Sequence, residues 1–144
     1  MFDKILLPTD GSDVAFAATE RAVALARLAG AALHVVFVME PYPYTGIGAT
    51  NSAGVQEYLA DRQRHATEAL ARIGALAQVP GVSLSTEIVE GSSPAERIVE
   101  TARRCGADLI VMGSHGRTGV ARVLLGSVAG KVLMLSPVPV MIVK

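Results

Sequence analysis

Gly113 and Gly116, nine further residues, and then Gly126-Ser127 make up the stretch of this 144-residue chain best suited to chemistry. Glycines three apart let a backbone approach a ligand closely with its amides turned inward. Gly126-Ser127 adds a hydroxyl and free amides where a helix is predicted to begin, and a helix dipole favours an anion there by about 0.3–2 kcal/mol. The layout suits a polyphosphate. Asp10, at the end of the first predicted strand, is a second candidate ligand group. His115 lies inside the glycine loop without a paired acid or nucleophile, so its position argues for binding rather than catalysis. Arg117 and Arg122, in the nine-residue spacer, are either phosphate contacts or solvated loop charges.

Three other phosphate motifs do not fit. A GxGxxG turn after the first strand is missing, because Pro8-Thr9-Asp10-Gly11-Ser12 stands in its place. Gly126-Ser127-Val128-Ala129-Gly130-Lys131 is one residue short of a P-loop, and Val132 replaces the Ser or Thr that would bind magnesium. The glycine pair of a pyrophosphatase loop is absent from Thr9–Asp13.

The elements that must position these residues follow from periodicity and punctuation. Strand-like apolar runs fall at Phe2–Pro8, Ala31–Met39, Val82–Glu90, Asp108–Met112 and Val138–Val143. Between them, Ser12 caps a helix that ends at Gly30. A long helix with Val55, Leu59, Ala66, Leu70 and Ile73 on one stripe stops at Pro80-Gly81. Ser93-Pro94-Ala95-Glu96 reads as a capping box that opens a third helix, which runs to Gly106, and a fourth covers Ser127–Leu135. Glu40–Ala53 is a long loop whose Tyr42 and Tyr44 form either a lid or a surface segment. Strands that are apolar on both faces and alternate with helices imply an α/β fold: a doubly wound five-stranded parallel sheet, order 3-2-1-4-5, with helices on both faces. Ligands of such sheets bind outside the carboxyl ends of the strands. Pro139 places the last strand at a sheet edge, because proline cannot donate to a ladder.

Gly113-x2-Gly116-x9-Gly126-Ser127, preceded by Asp-Leu-Ile-Val-Met and followed by Pro-Val-Pro-Val, resembles the universal stress protein family in its ATP-binding branch. The opening Lys-Ile-Leu-Leu-Pro-Thr-Asp-Gly-Ser fits as well, and the resemblance spans residues 1–144 as a single domain. By matching position, it implies that Asp10 holds a ribose and the Val38 backbone an adenine. Gly113 would pack on the ribose side, with Gly116, Gly126 and Ser127 cradling phosphates. Pro8, Thr9, His115, Arg117 and Val128 would complete the lining. It further implies ATP as ligand, Mg²⁺ brought by the phosphates, and a homodimer that pairs the edge strand Val138–Val143 with its copy. The function expected is a nucleotide-dependent stress-response switch with slow ATPase activity at most. The alternatives are an adenine-nucleotide hydrolase acting at the α-phosphate and a dimeric interaction module with a vestigial pocket.

Composition agrees with this class. Hydrophobic residues are 51% and charged ones 18%, with mean hydropathy +0.42, which excludes a disordered chain. The most apolar window, Ala22–Met39, contains Arg27, Gly30 and His34 and reads as helix then strand, not as a membrane span. A lone Cys105 and a start that leads directly into a strand set the expectation of a cytoplasmic protein without a signal peptide. Thirteen basic residues balance thirteen acidic ones, so nucleic acid is not an expected partner. The balance is uneven along the chain: residues 1–100 carry 7 basic and 12 acidic side chains, and residues 101–144 carry 6 and 1. The basic excess coincides with the glycine loop, where Arg117, Arg122 and Lys131 are the candidates to attract an anion.

Overall fold

A computed structural model describes residues 1–42, 52–115 and 125–144. Its elements run β1 (Lys4–Thr9), α1 (Asp13–Ala29), β2 (Ala32–Met39), α2 (Ser52–Ala77), β3 (Leu84–Glu90), α3 (Pro94–Cys105), β4 (Leu109–Gly113), α4 (Ser127–Leu135) and β5 (Val140–Val143). The five strands pair in parallel in the order β3-β2-β1-β4-β5, as the sequence predicts.

Strand alternation divides the core in two. Ile5, Leu7, Val35 and Val111 point to one face, where Ala18, Ala22 and Ala26 of α1 and Ile73 of α2 cover them. Leu6, Val36, Ile110 and Met112 point to the other, under Ile98 and Val99 of α3 and Val132 of α4. Each fully buried Leu, Ile or Val contributes roughly 1.5–3 kcal/mol. Alanines along α1 let that helix lie close to the sheet. Ser12 Oγ accepts from the Ala15 amide at 3.2 Å to start it, and Gly30, at φ 68°, ends it in the left-handed conformation.

The sheet opens between its two central strands. β1 follows β2 as far as Thr9↔Phe37 but registers with β4 only at Ile5↔Leu109 and Leu6↔Ile110. The Asp3 carbonyl accepts from Ala32 on the β2 side, and the Lys4 carbonyl from Asp108 on the β4 side. Alternation along the strand therefore aims position 8 at β4. Pro8 has no N–H to offer there. The two strands part at that point without disturbing the β1–β2 ladder.

Four expectations need correction. β1 and β3 each begin two residues later than the sequence predicts, at Lys4 and Leu84. The last strand begins at Val140, not Val138, although the Pro139 carbonyl still accepts from the Ile110 amide at 3.0 Å. Ser93 does not cap α3 through its side chain. Lys131 Nζ takes both halves of the expected capping box, donating to Ser93 Oγ at 3.1 Å and Glu96 Oε1 at 3.0 Å, which ties α3 to α4. The stripe on α2 is core only in its second half: Ala66, Ile73 and Ala77 are buried, whereas Leu59 is 38% exposed. The cause is length. Twenty-six helical residues extend about 39 Å, against about 27 Å for the eight residues of β2. The first turns of α2 therefore stand beyond the carboxyl end of the sheet. Residues 43–51 of the expected loop, including Tyr44, lie outside the described residues.

Polar groups at the opposite end are paired. His34 sits between Ser85 Oγ (2.6 Å) and Glu87 Oε1 (2.7 Å), so both ring nitrogens have partners. Burial raises the pKa of Glu87, but hydrogen bonds to His34 and Arg104 outweigh it and hold the carboxyl below its ordinary range. Asp108 accepts from the amides of Asp3 (2.8 Å) and Lys4 (3.1 Å) and so anchors the start of β1 to β4. Burial again raises its pKa, and those amides lower it by more. A depressed folded-state pKa means stability that is present above the unfolded value, about 3.9, and lost as pH falls through the folded one. Asp108→Ala is expected to cost about 1–2 kcal/mol at neutral pH. Urea unfolding should show the gap to wild type closing below about pH 4, and a gap independent of pH would contradict this role.

Candidate functional site

A cleft of about 650 Å³ lies where β1 and β4 part. Pro8, Thr9 and Asp10 line it from the end of β1, and Val38 from β2. Gly113 and His115 come from the end of β4, and Gly126, Ser127 and Val128 from the start of α4. These nine are all the sequence-predicted site residues that the structure describes. Gly116 and Arg117 lie outside the described residues, as does Arg122. A second depression, about 450 Å³, is lined among the described residues by α2 alone and gathers none of them from the strand ends.

Local hydrogen bonds explain how the strand ends face the cleft. In a continuing ladder, the Gly11 amide would meet the Val38 carbonyl. It donates to Thr9 Oγ1 instead (3.1 Å), which ends the β1–β2 ladder and leaves that carbonyl at the cleft wall. Asp10 Oδ1 accepts from the Ser12 amide at 2.9 Å, so its carboxylate is oriented by the turn that opens α1. Gly11, at φ 79°, supplies the left-handed residue in this turn, and the His65 ring of α2 fills the space where a Cβ would stand.

The glycines at the β4 end play a part that spacing alone did not reveal. The Gly126 amide donates to the Ser114 carbonyl at 2.6 Å, closing the loop on itself. A Cβ at Gly126 would stand 2.9 Å from that same oxygen. Gly126 is thus glycine for contact between two backbone segments. One at Gly113 would meet Val14 Cγ1 at 2.9 Å, so this glycine makes room for the first turn of α1. Ser114 is buried, donates its amide to the Val143 carbonyl at 2.8 Å, and places Oγ 2.7 Å from His115 Nδ1, fixing the ring at the cleft wall.

Helix α4 opens onto the cleft from Gly126, with no side-chain cap and no acidic residue in its first turn. Its amides and positive dipole end, with the exposed Ser127 hydroxyl, are arranged for an anion. The basic excess of the last third does not reach this point among the described residues. Lys131 is bound to Ser93 and Glu96, and Arg104 to Glu87. Among the described residues, the arginine that does line the cleft is Arg62, from the acidic part of the chain.

Arg62 escaped the sequence reading together with Tyr58 and Glu40, which share the β2 end of the cleft. The signal was available, because a helix that outruns its strands must present its first turns to whatever lies beyond them. Tyr58 packs edge-on against Tyr42, with centroids 5.1 Å apart. Among the described residues, no group of three or more His, Cys, Asp or Glu side chains is placed to hold a metal ion, and no helix is long and apolar enough to cross a membrane.

Comparison with known proteins places this geometry in context. The sequence pattern of the Universal stress protein family matches residues 1–144. Universal stress protein MJ0531 of Methanocaldococcus jannaschii is 40% identical over 144 residues, covering 100% of this chain and 83% of that protein. The structure of universal stress protein UspA from Lactobacillus plantarum superposes with a TM-score of 0.87 at 30% identity, covering 99% of this chain and 97% of the other. A universal stress protein solved in complex with cAMP gives 0.67 at 29% identity, with 99% and 97% covered. A match over the full chain, relatives at this level of identity and the close superposition lead to one conclusion: the chain belongs to the universal stress protein family.

Proposed function

We propose that the cleft binds an adenine nucleotide, ATP with its Mg²⁺, and that the protein is a cytoplasmic nucleotide-dependent stress-response switch. One observation carries the reading: an α-helix with a bare, acid-free first turn opens onto the point where the strands part. The cAMP complex of a relative with the same fold adds support for the adenine class. In this reading the Gly126 and Ser127 end, with Gly116 and Arg117, holds the phosphates. Asp10 takes the ribose hydroxyls, the Val38 carbonyl takes the adenine amine, and Pro8, Thr9, Gly113, His115 and Val128 shape the wall. Mg²⁺ neutralises phosphate charge and is carried by the nucleotide. The same reading includes a homodimer through the outer edge of β5, which presents an exposed Met141 and an unpaired ladder that another copy would cover.

Ser127→Glu separates binding from stability. A carboxylate in the first turn of α4 favours the helix by about 0.3–1 kcal/mol, and Ser127 is exposed, so packing is undisturbed. The same carboxylate repels a phosphate. Wild type should melt several degrees higher in millimolar Mg-ATP, and the variant should melt at or above the apo wild type with that ligand shift lost. A wild type that ATP leaves unmoved, or a variant that retains the full shift, would refute the site.

A further inference from the structure

Arg62 is half-buried on the cleft-facing side of α2, one turn after Tyr58. Its Nε is closed off from solvent and has no hydrogen-bond partner among the described residues, a state it shares there with Arg97 Nε of α3. A buried N–H without an acceptor is unfavourable, so Arg62 is held at the cleft wall at a cost, and the nitrogens that can reach a ligand are the terminal pair of its guanidinium. The exposed faces of α2 were open to an arginine, yet this one lies on the wall of a cleft. We propose that Arg62 is a ligand-binding residue that donates from its guanidinium to the nucleoside portion of the bound nucleotide. This inference rests on the nucleotide reading of the cleft and adds to it a group that the glycine motif does not include.

The position along the cleft identifies the portion of the ligand. Arg62 lies between Tyr58, which packs on Tyr42 just past β2, and Ala66, which is buried against Phe37 and Met39 of β2. The amides arranged for phosphate belong to α4, which follows β4. In the sheet β1 separates β2 from β4, so the two ends lie about 10 Å apart at the usual spacing of strands. A nucleotide that puts its phosphates at α4 and its ribose at Asp10 extends its base toward β2. The acceptors it offers there are ring nitrogens and ribose oxygens. Arg62 meets those acceptors and not the phosphate chain.

Calorimetric titration of the full chain with Mg-ATP and with AMP, paired with thermal unfolding, tests this. Arg62→Met keeps the aliphatic stem and removes the donors. It is expected to weaken ATP and AMP by the same factor, roughly ten- to hundredfold, as loss of a charged donor does. Its apo melting temperature should equal or exceed that of wild type, because the unsatisfied group is gone. Arg62→Lys, with a charge but no planar fork, should fall between the two. Wild-type affinity in Arg62→Met would overturn the proposal, as would a melting temperature several degrees lower, which would mark a structural role. A loss much larger for ATP than for AMP would also overturn it, by moving Arg62 to the phosphates. Failure of the wild type to bind either nucleotide would instead overturn the reading beneath it.

Discussion

Replacing Gly126 by valine is expected to lower unfolding free energy by about 2–4 kcal/mol and to remove the response to nucleotide in the same step. The Cβ would stand 2.9 Å from the Ser114 carbonyl oxygen, and its neighbour there is backbone, which cannot rotate aside. The 2.6 Å hydrogen bond from the Gly126 amide to that oxygen must lengthen or break, and a β-branched residue is a poor start for a helix. Urea unfolding of wild type and variant measures the first effect, and melting with and without Mg-ATP the second. A variant as stable as wild type would show that the two ends of the loop do not meet at this glycine. The pairing with Ser127→Glu is informative, because that substitution is expected to remove the nucleotide response while leaving stability intact.

Phe37→Ala is expected to cost about 3–5 kcal/mol. Phe37 is 1% exposed, packs with Met39 against Ala66, and meets the His65 ring edge-on at 5.8 Å. It joins β2 to the turn of α2 that carries Arg62 and His65. Alanine leaves a cavity beneath that turn, so nucleotide affinity should fall along with stability. Phe37→Leu, closer in volume, should cost under about 1.5 kcal/mol and keep binding. Chemical denaturation gives both values, and a loss below about 1 kcal/mol for the alanine variant would mean that α2 is held in place by other contacts.

The architecture was legible because its signals are local. Ser12 and Gly30 punctuate α1, glycines and prolines separate the strands, and runs apolar on both faces require helices above and below. What escaped depends on residues far apart in sequence. Ser93 and Glu96 have the spacing of a capping box, but the partner that takes them is Lys131, 38 residues beyond Ser93. Gly126 fits a phosphate motif by type, and only the fold brings Ser114 against it. Charge counts pointed to the last third of the chain, where Lys131 and Arg104 have carboxylate partners. Arg117 and Arg122 lie outside the described residues, and among those described the cation at the cleft wall is carried by a helix longer than the strands it covers.

Pro8 also decides whether the cleft can close. A crevice between two adjacent strands of one sheet is open to competition, because a further rung of the ladder would zip it shut. An amide hydrogen at position 8 would offer that rung, and proline lacks it. The crevice is therefore preorganised, held apart by a bond that cannot form. In the nucleotide reading proposed above, no part of the binding free energy need go into separating β1 from β4.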